Sequence, residues 1–319
     1  MAFQRIVFRT LPDGKERKVY PFHISMEGME SVLLCRDDDD YDHLEKSFYV
    51  SAWKTNCIVI MEIAMSNHGH CSILAENLES AFRMANVVKK RHSQYLSWKY
   101  NDKSTLARSD ISVKYLDSDW YVRNALAYIP RNAIDAGSRV EDYRWSAYRG
   151  MFSGGRCPNA FRSVSSMGRR ERERVFRTHE DLSAVPWLVN YEGGIEPASA
   201  CDYAYLESAF SGDQAFFLRK IGEVNVSEMQ QLLVSSARNR QTDAEMFAVI
   251  RNLADKWYHV SLPELTPEHK ARLLPYLYRS YNTSVPQLAR CLSMPRDVVS
   301  GLLASSGAKT PQGKSFLSV

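Results

Sequence analysis

The chain has 319 residues, of which 45% are hydrophobic and 24% charged, and a formal net charge of +4. That length suits about two domains, and the composition excludes wholesale disorder. No apolar run reaches the roughly 18 residues a membrane span needs, and no long apolar core follows Met1, so the expectation is a soluble, cytoplasmic protein with no membrane partner. The six cysteines are scattered without a CxxC, which argues against a disulfide scaffold or a zinc ribbon.

In chain order, residues 3–8 and 20–26 have strand-like composition. The aspartate run 37–40 suits the N-terminus of a helix beginning near Tyr41; a metal site made from the same run is the alternative. Residues 56–74 read as one long apolar strand. Residues 78–100 read as a helix, because Leu78, Phe82, Ala85, Val88, Tyr95 and Trp98 fall near helical spacing. The polar stretch 101–112 reads as a loop. Residues 119–136 read as a helix, with Ser118 as N-cap and Gly137 as its stop. Together residues 1–150 make an α+β domain, one sheet with helices packed on it.

Beyond that point residues 151–165 are Gly-rich and linker-like, and 166–262 form a helical region with patterns at 166–182, 206–221, 227–238 and 243–258. The module 263–304 reads as a helix-turn-helix: helices at 283–292 and 296–304 flank Ser293-Met-Pro295. Ser284 caps the first helix and Pro286 sits in its first turn. Leu288, Ala289 and Leu292 face Val298, Val299 and Leu302. From Pro267 onward seven basic residues stand against two acidic ones, so this part carries +5, more than the whole chain's excess. Such a module suits DNA, its second helix entering the major groove with Arg296, Asp297 and Ser300 exposed. Residues 305–319 read as a disordered tail.

The sharpest local feature is His68-Gly69-His70. Residues i and i+2 of a strand share a face, so both imidazoles can reach one ion. The pair alone does not make a metal site; a third ligand is needed. Tyr128-Ile-Pro-Arg-Asn132 offers one, because positions four apart share a helix face and the Asn132 amide oxygen can complete a two-histidine site. Tyr128 then becomes a candidate nucleophile. A phenol with a pKa of about 10 is poor at neutral pH unless a metal polarises the phosphate it attacks. On the preceding helix Lys89, Lys90 and Arg91 cluster with Tyr95 and Trp98, cations to track a DNA backbone and aromatics to stack on unpaired bases. The alternative there is a basic solvated face with aromatics in the core.

Five pieces occur in a fixed order: Phe22-His-Ile, Met65-Ser-Asn-His68-Gly-His70, Val88-Lys-Lys-Arg-His-Ser-Gln-Tyr95, Tyr128-Ile-Pro-Arg-Asn132-Ala-Ile-Asp-Ala-Gly137 and Tyr143-Arg-Trp-Ser146. In this order, over residues 20–150, the chain resembles the HUH-type single-tyrosine transposases of the REP-associated branch. The resemblance implies an RRM-like or ferredoxin-like antiparallel sheet with helices. It implies Mg²⁺ or Mn²⁺ on His68, His70 and Asn132, and Tyr128 as the nucleophile on single-stranded DNA bearing a hairpin or palindromic repeat. The product would be a 5′-phosphotyrosine link and a free 3′-hydroxyl, ready for rejoining. Family members are often dimers, so a homodimer is among the partners implied, with duplex DNA on the C-terminal module.

Three positions depart from the family's pattern. Gly69 stands where a bulky hydrophobe is usual, which implies weaker packing behind the site. Ala133 replaces a proline after the asparagine. Pro130 would kink the helix or open a new one between Tyr128 and Asn132. The reading is a metal-dependent single-stranded DNA transposase. The alternative is a domesticated, catalytically silent DNA-binding regulator with the same fold.

Overall fold

A computed structural model describes residues 3–27, 33–101, 110–226, 228–229, 243–281, 283 and 285–305. Two compact units emerge, one from Met1–Gly28 with Leu33–Ala237, the other holding the described residues after Arg238.

The first unit begins with β1 (Val7–Thr10), β2 (Glu16–Glu27), α1 (Asp38–Lys54), β3 (Ile58–Ala64), β4 (His68–Ala75), α2 (Leu78–Tyr100), β5 (Asp110–Tyr115) and α3 (Asp119–Asp135). From β2 to β5 the order is β-α-β-β-α-β. The strands lie as β5-β2-β4-β3, every pair antiparallel, which is the split β-α-β arrangement of ferredoxin-like sheets. β2 serves two partners along one edge, β1 at residues 16–19 and β5 at 22–27. Pro21, with no N–H to give a ladder, sits at the changeover.

Two expectations are corrected here. The apolar run 56–74 is a hairpin rather than one strand: Met65 N donates to His68 O at 2.9 Å, and the chain reverses at Ser66 and Asn67. The histidine pair therefore opens β4. Residues 110–112, expected in the loop, open a strand that runs to Tyr115, because Ile111, Val113 and Tyr115 alternate and pair with Met26, Ile24 and Phe22. Residues 102–109 lie outside the described residues.

The helix starts follow their caps. Asn77 accepts from Ser80 N and Ser118 from Tyr121 N. Asp37 accepts from Asp40 N, and Lys99 Nζ reaches Asp37 at 2.5 Å and Asp40 at 2.7 Å. The aspartate run is thus a helix start neutralised by a lysine of α2. α3 runs unbroken through Pro130, so Tyr128 and Asn132 do share one face.

The first unit continues through β6 (Arg162–Ser163), α4 (Arg169–Phe176), β7 (Leu188–Val189), α5 (Tyr203–Ala209) and α6 (Gln214–Glu223). The boundary at 150 and the linker at 151–165 are corrected, since these later elements are part of the same unit. Asp202 pairs with Arg9 at 2.6 Å, Arg123 Nε donates to Ala209 O at 2.6 Å, and Trp187 packs edge-on against Tyr49 and Trp53. Phe210 and Phe217 bury themselves in the core under α3.

The second unit holds α7 (Asp243–Tyr258), α8 (Pro267–Ser280), α9 (Val285–Cys291) and α10 (Arg296–Ser305) around Ile250, Leu273, Leu277, Leu288, Val299 and Leu303. It therefore starts earlier than residue 263. Arg290 forks onto Asp243 at 2.8 and 3.1 Å. Between α9 and α10, Ser293 takes the left-handed conformation (φ 51°) and Met294 N bonds Ala289 O. Val299 and Leu303 face inward; Val298, expected in the core, is 41% exposed. Ser284, most of 227–238 and 306–319 lie outside the described residues, and Ser305 closes α10 rather than opening a tail. No described helix is long and apolar enough to cross a membrane.

Candidate metal centre

The site is built where β2, β4 and α3 meet. Directly opposed pairs in an antiparallel ladder share a face, and the register sets His23 against Ser72 and Ser25 against His70. These four polar side chains, all buried, line the sheet face under α3. Tyr128 of α3 meets His70 edge-on, ring centroids 5.2 Å apart, and the His68 and His70 rings lie 5.0 Å apart.

Asn132 is oriented by its own helix. Its Nδ2 donates to the carbonyls of Tyr128 at 2.8 Å and Ile129 at 3.1 Å, which turns Oδ1 toward His68 Nε2 at 3.1 Å. On the other side of the ring, His68 Nδ1 lies 2.7 Å from Asn67 Oδ1. A neutral imidazole has one N–H. With the proton on Nε2 the ring donates to Asn132 Oδ1; with it on Nδ1, toward Asn67, two lone pairs would meet there, an arrangement that a shared cation relieves.

His70 is held from behind. Its Nδ1 is 3.2 Å from both His23 Nε2 and Ser25 Oγ, and His23 Nδ1 is 3.3 Å from Ser72 Oγ. Its buried Nε2 has no hydrogen-bond partner among the described residues. Burial holds His70 well below the ordinary imidazole range, with His68 and His23 adding to the effect, and pushes His23 down to about 3. Both rings are therefore neutral at pH 7, the state in which imidazole ligates metals.

These donors fit a divalent ion. Adjacent corners of an octahedron with bonds of about 2.1 Å lie about 3.0 Å apart, close to the 3.1 Å between His68 Nε2 and Asn132 Oδ1. Outer partners that fix the tautomer of a ligating histidine are the usual company of such a site. No cluster of three His, Cys, Asp or Glu side chains among the described residues is placed to hold an ion, so the set depends on the amide oxygen.

Gly69 points the other way. A Cβ built there would lie 3.2 Å from Phe48 Cζ and 3.5 Å from Leu44 Cδ2. The expectation of weak packing behind the site is corrected: α1 fills the space from the far side. Tyr128 itself is fully buried at 0% exposure.

No family model matches the chain, and no curated protein matches it. Among solved structures it is similar to that of a REP-associated tyrosine transposase bound to a REP hairpin. The TM-score is 0.32 and the identity 15%, over 40% of this chain and 76% of that one.

The fold brings His68, His70, Asn132 and Tyr128 together and leaves the other sequence candidates elsewhere. α2 packs with α1 on the opposite face of the sheet. There Lys90 is exposed, Lys89 and Arg91 are half-buried, and Trp98 is 77% exposed. Tyr95, expected to stack on bases, is buried and already stacks on His43 at 4.0 Å. Arg296 and Ser300 are exposed on α10 of the second unit. Sequence reasoning gave no role to His23, Ser25 or Asn67. It also passed over Asp135, one turn beyond Asn132, whose carboxyl is raised by burial against the pull of Arg131 and His68. The signal for the first two was present: polar residues at alternate positions of otherwise apolar strands.

Proposed function

We propose that this protein nicks and rejoins single-stranded DNA at hairpin-bearing sites, with Tyr128 as nucleophile and Mg²⁺ or Mn²⁺ held by His68, His70 and Asn132. The observation that carries the reading is the buried Nε2 of His70, without a hydrogen-bond partner among the described residues, beside the His68–Asn132 pair, with Tyr128 on the same helix face as Asn132. The substrate class follows from the ordered motifs of the sequence. When bound, the ion would polarise a phosphate oxygen and offset charge in the transition state. His23 and Ser25 hold His70 by Nδ1 and keep its Nε2 turned to the site. Tyr128 Oη loses its proton and bonds to phosphorus, the bond from phosphorus to O3′ breaks, and the 3′-oxygen leaves as a hydroxyl. Rejoining reverses these bonds.

One observation favours a second reading, the silent DNA-binding regulator: a tyrosine with no exposed surface must be uncovered before it can reach a strand. The two readings part in one experiment. Incubated with a hairpin-bearing single strand and Mn²⁺, the wild type should give a protein–DNA band that survives denaturation. Tyr128→Phe should lose it while keeping DNA affinity, and His68→Ala should lose it as well. Absence of the band on every hairpin tried transfers the conclusion to the regulator. For α10 the proposal is duplex contact. Arg296→Ala should flatten the salt dependence of duplex binding by roughly one unit of slope, and an unchanged slope means that these helices only pack.

A further inference from the structure

Away from the metal centre, on the opposite face of the sheet, α2 and the end of α4 enclose a groove of about 710 Å³. That volume is within the usual span of ligand pockets, about 300–1,000 Å³. Its walls carry Arg91, Gln94, Tyr95 and Trp98 from α2, and Arg174 and Arg177 from α4 and its cap; among the described residues no carboxylate lines it. Arg177 ends α4 in the left-handed conformation (φ 47°), and its guanidinium carbon sits 4.8 Å from the Tyr95 ring centroid and 5.8 Å from that of Trp98. Trp98 is 77% exposed, so most of its indole is open to an incoming ring.

Arg91 is the telling residue. Its Nη2 is spent on Phe176 O at 3.0 Å, while its buried Nε has no hydrogen-bond partner among the described residues. Burial pulls this guanidinium down to about 10, and Glu180 opposes the shift only through its field. The nearby carboxylates are engaged: Asp42 binds Lys46 at 2.7 Å, and Glu173 binds Arg169 at 3.0 Å and His179 at 3.4 Å. A desolvated cation with two further arginines at the same opening calls for an anion. The open indole beside them calls for a flat ring. An unpaired nucleotide supplies both, whereas a duplex keeps its bases stacked on each other.

We propose that the groove between α2 and α4 binds an unpaired nucleotide of a single strand, its base on Trp98 and its phosphate among Arg91, Arg174 and Arg177. The site is separate from the Tyr128 chemistry and is tested without divalent ions. The experiment is fluorescence anisotropy of the full chain, in EDTA, with a labelled single strand of roughly ten nucleotides. Trp98→Ala should weaken binding about tenfold and Trp98→Phe should recover most of it, as base stacking on an aromatic requires. An abasic strand should bind wild type about as weakly as the intact strand binds Trp98→Ala. Arg174→Ala with Arg177→Ala should flatten the salt slope by about 1.4, at roughly 0.7 per lost single-strand contact. Because the assay is run without divalent ions and reads affinity alone, a failure of adduct formation and a failure of this groove are read apart. Unchanged affinity in Trp98→Ala, or equal binding of the abasic strand, overturns the proposal. So does an unchanged salt slope in the double variant.

Discussion

Along β4, consecutive residues look into opposite surroundings. His68, His70 and Ser72 face α3 and meet polar groups of β2 and the Asn132 amide. Gly69 and its neighbours of like parity face α1, where Phe48 and Leu44 press on the strand. The period of two puts a polar site and its apolar backing on one short strand. The hydrophobe behind a histidine pair need not come from the residue between them. A glycine there lets a phenylalanine from another element approach closely, and the site is backed all the same.

The largest effect expected from breaking this arrangement is on the α1 side. Phe48 is fully buried, and Phe48→Ala should cost about 3–5 kcal/mol in urea unfolding, the usual range for such cavities. A loss below 1 kcal/mol would mean that Phe48 does not back the strand. On the α3 side the expected effect comes from ligand. Mn²⁺ at about 100 times its Kd should stabilise wild type by about 2.7 kcal/mol, seen as a rise in Tm. His70→Ala should show no rise, and a metal-dependent rise that survives in this variant would remove His70 from the ligand set.

Gly69→Leu probes the same contact from within the strand. With Phe48 Cζ already 3.2 Å from a Cβ position, the added side chain should overpack the α1 face and cost about 1–3 kcal/mol. Combining it with Phe48→Ala should return part of that loss, and strict additivity would argue against direct contact. The smallest effect is graded with pH. On the α1–α2 side His43 and His92 stand Nδ1 to Nδ1 at 3.1 Å, and His92 is pushed down to about 4, chiefly by burial. His92 stays neutral in the fold while the unfolded chain takes up a proton below about pH 6.5. Stability present above that pH is therefore lost as pH falls toward 4, at about 1.4 kcal/mol per unit for one such group. His92→Gln should flatten the fall in urea midpoint between pH 7 and 5; an identical slope would assign the acid sensitivity elsewhere.

Some of this was legible in local pattern. Residues 78–100 and 119–135 became helices because apolar spacing and a side-chain cap agree there. The shared face of His68 and His70, and that of Tyr128 and Asn132, follow from periods of 2 and 3.6 that any strand or helix imposes. The reversal at Ser66 and Asn67 was hidden because largely apolar stretches, 57–65 before it and 71–75 after it, read as one continuous run. β5 was hidden behind the polar residues that precede it.

Which side chains share an element's face could be read from local pattern, because that depends on backbone period alone. What each face meets is set by the fold as a whole. His23 stands behind His70 although 47 positions separate them in sequence, since only the β2–β4 register brings them together. Phe48 fills the place opposite Gly69, Tyr95 turns inward onto His43, and α4 carries Arg177 over Trp98. Each of these depends on how distant elements pack. Packing is chosen by the burial of the whole apolar surface, and no window of neighbouring residues contains that sum.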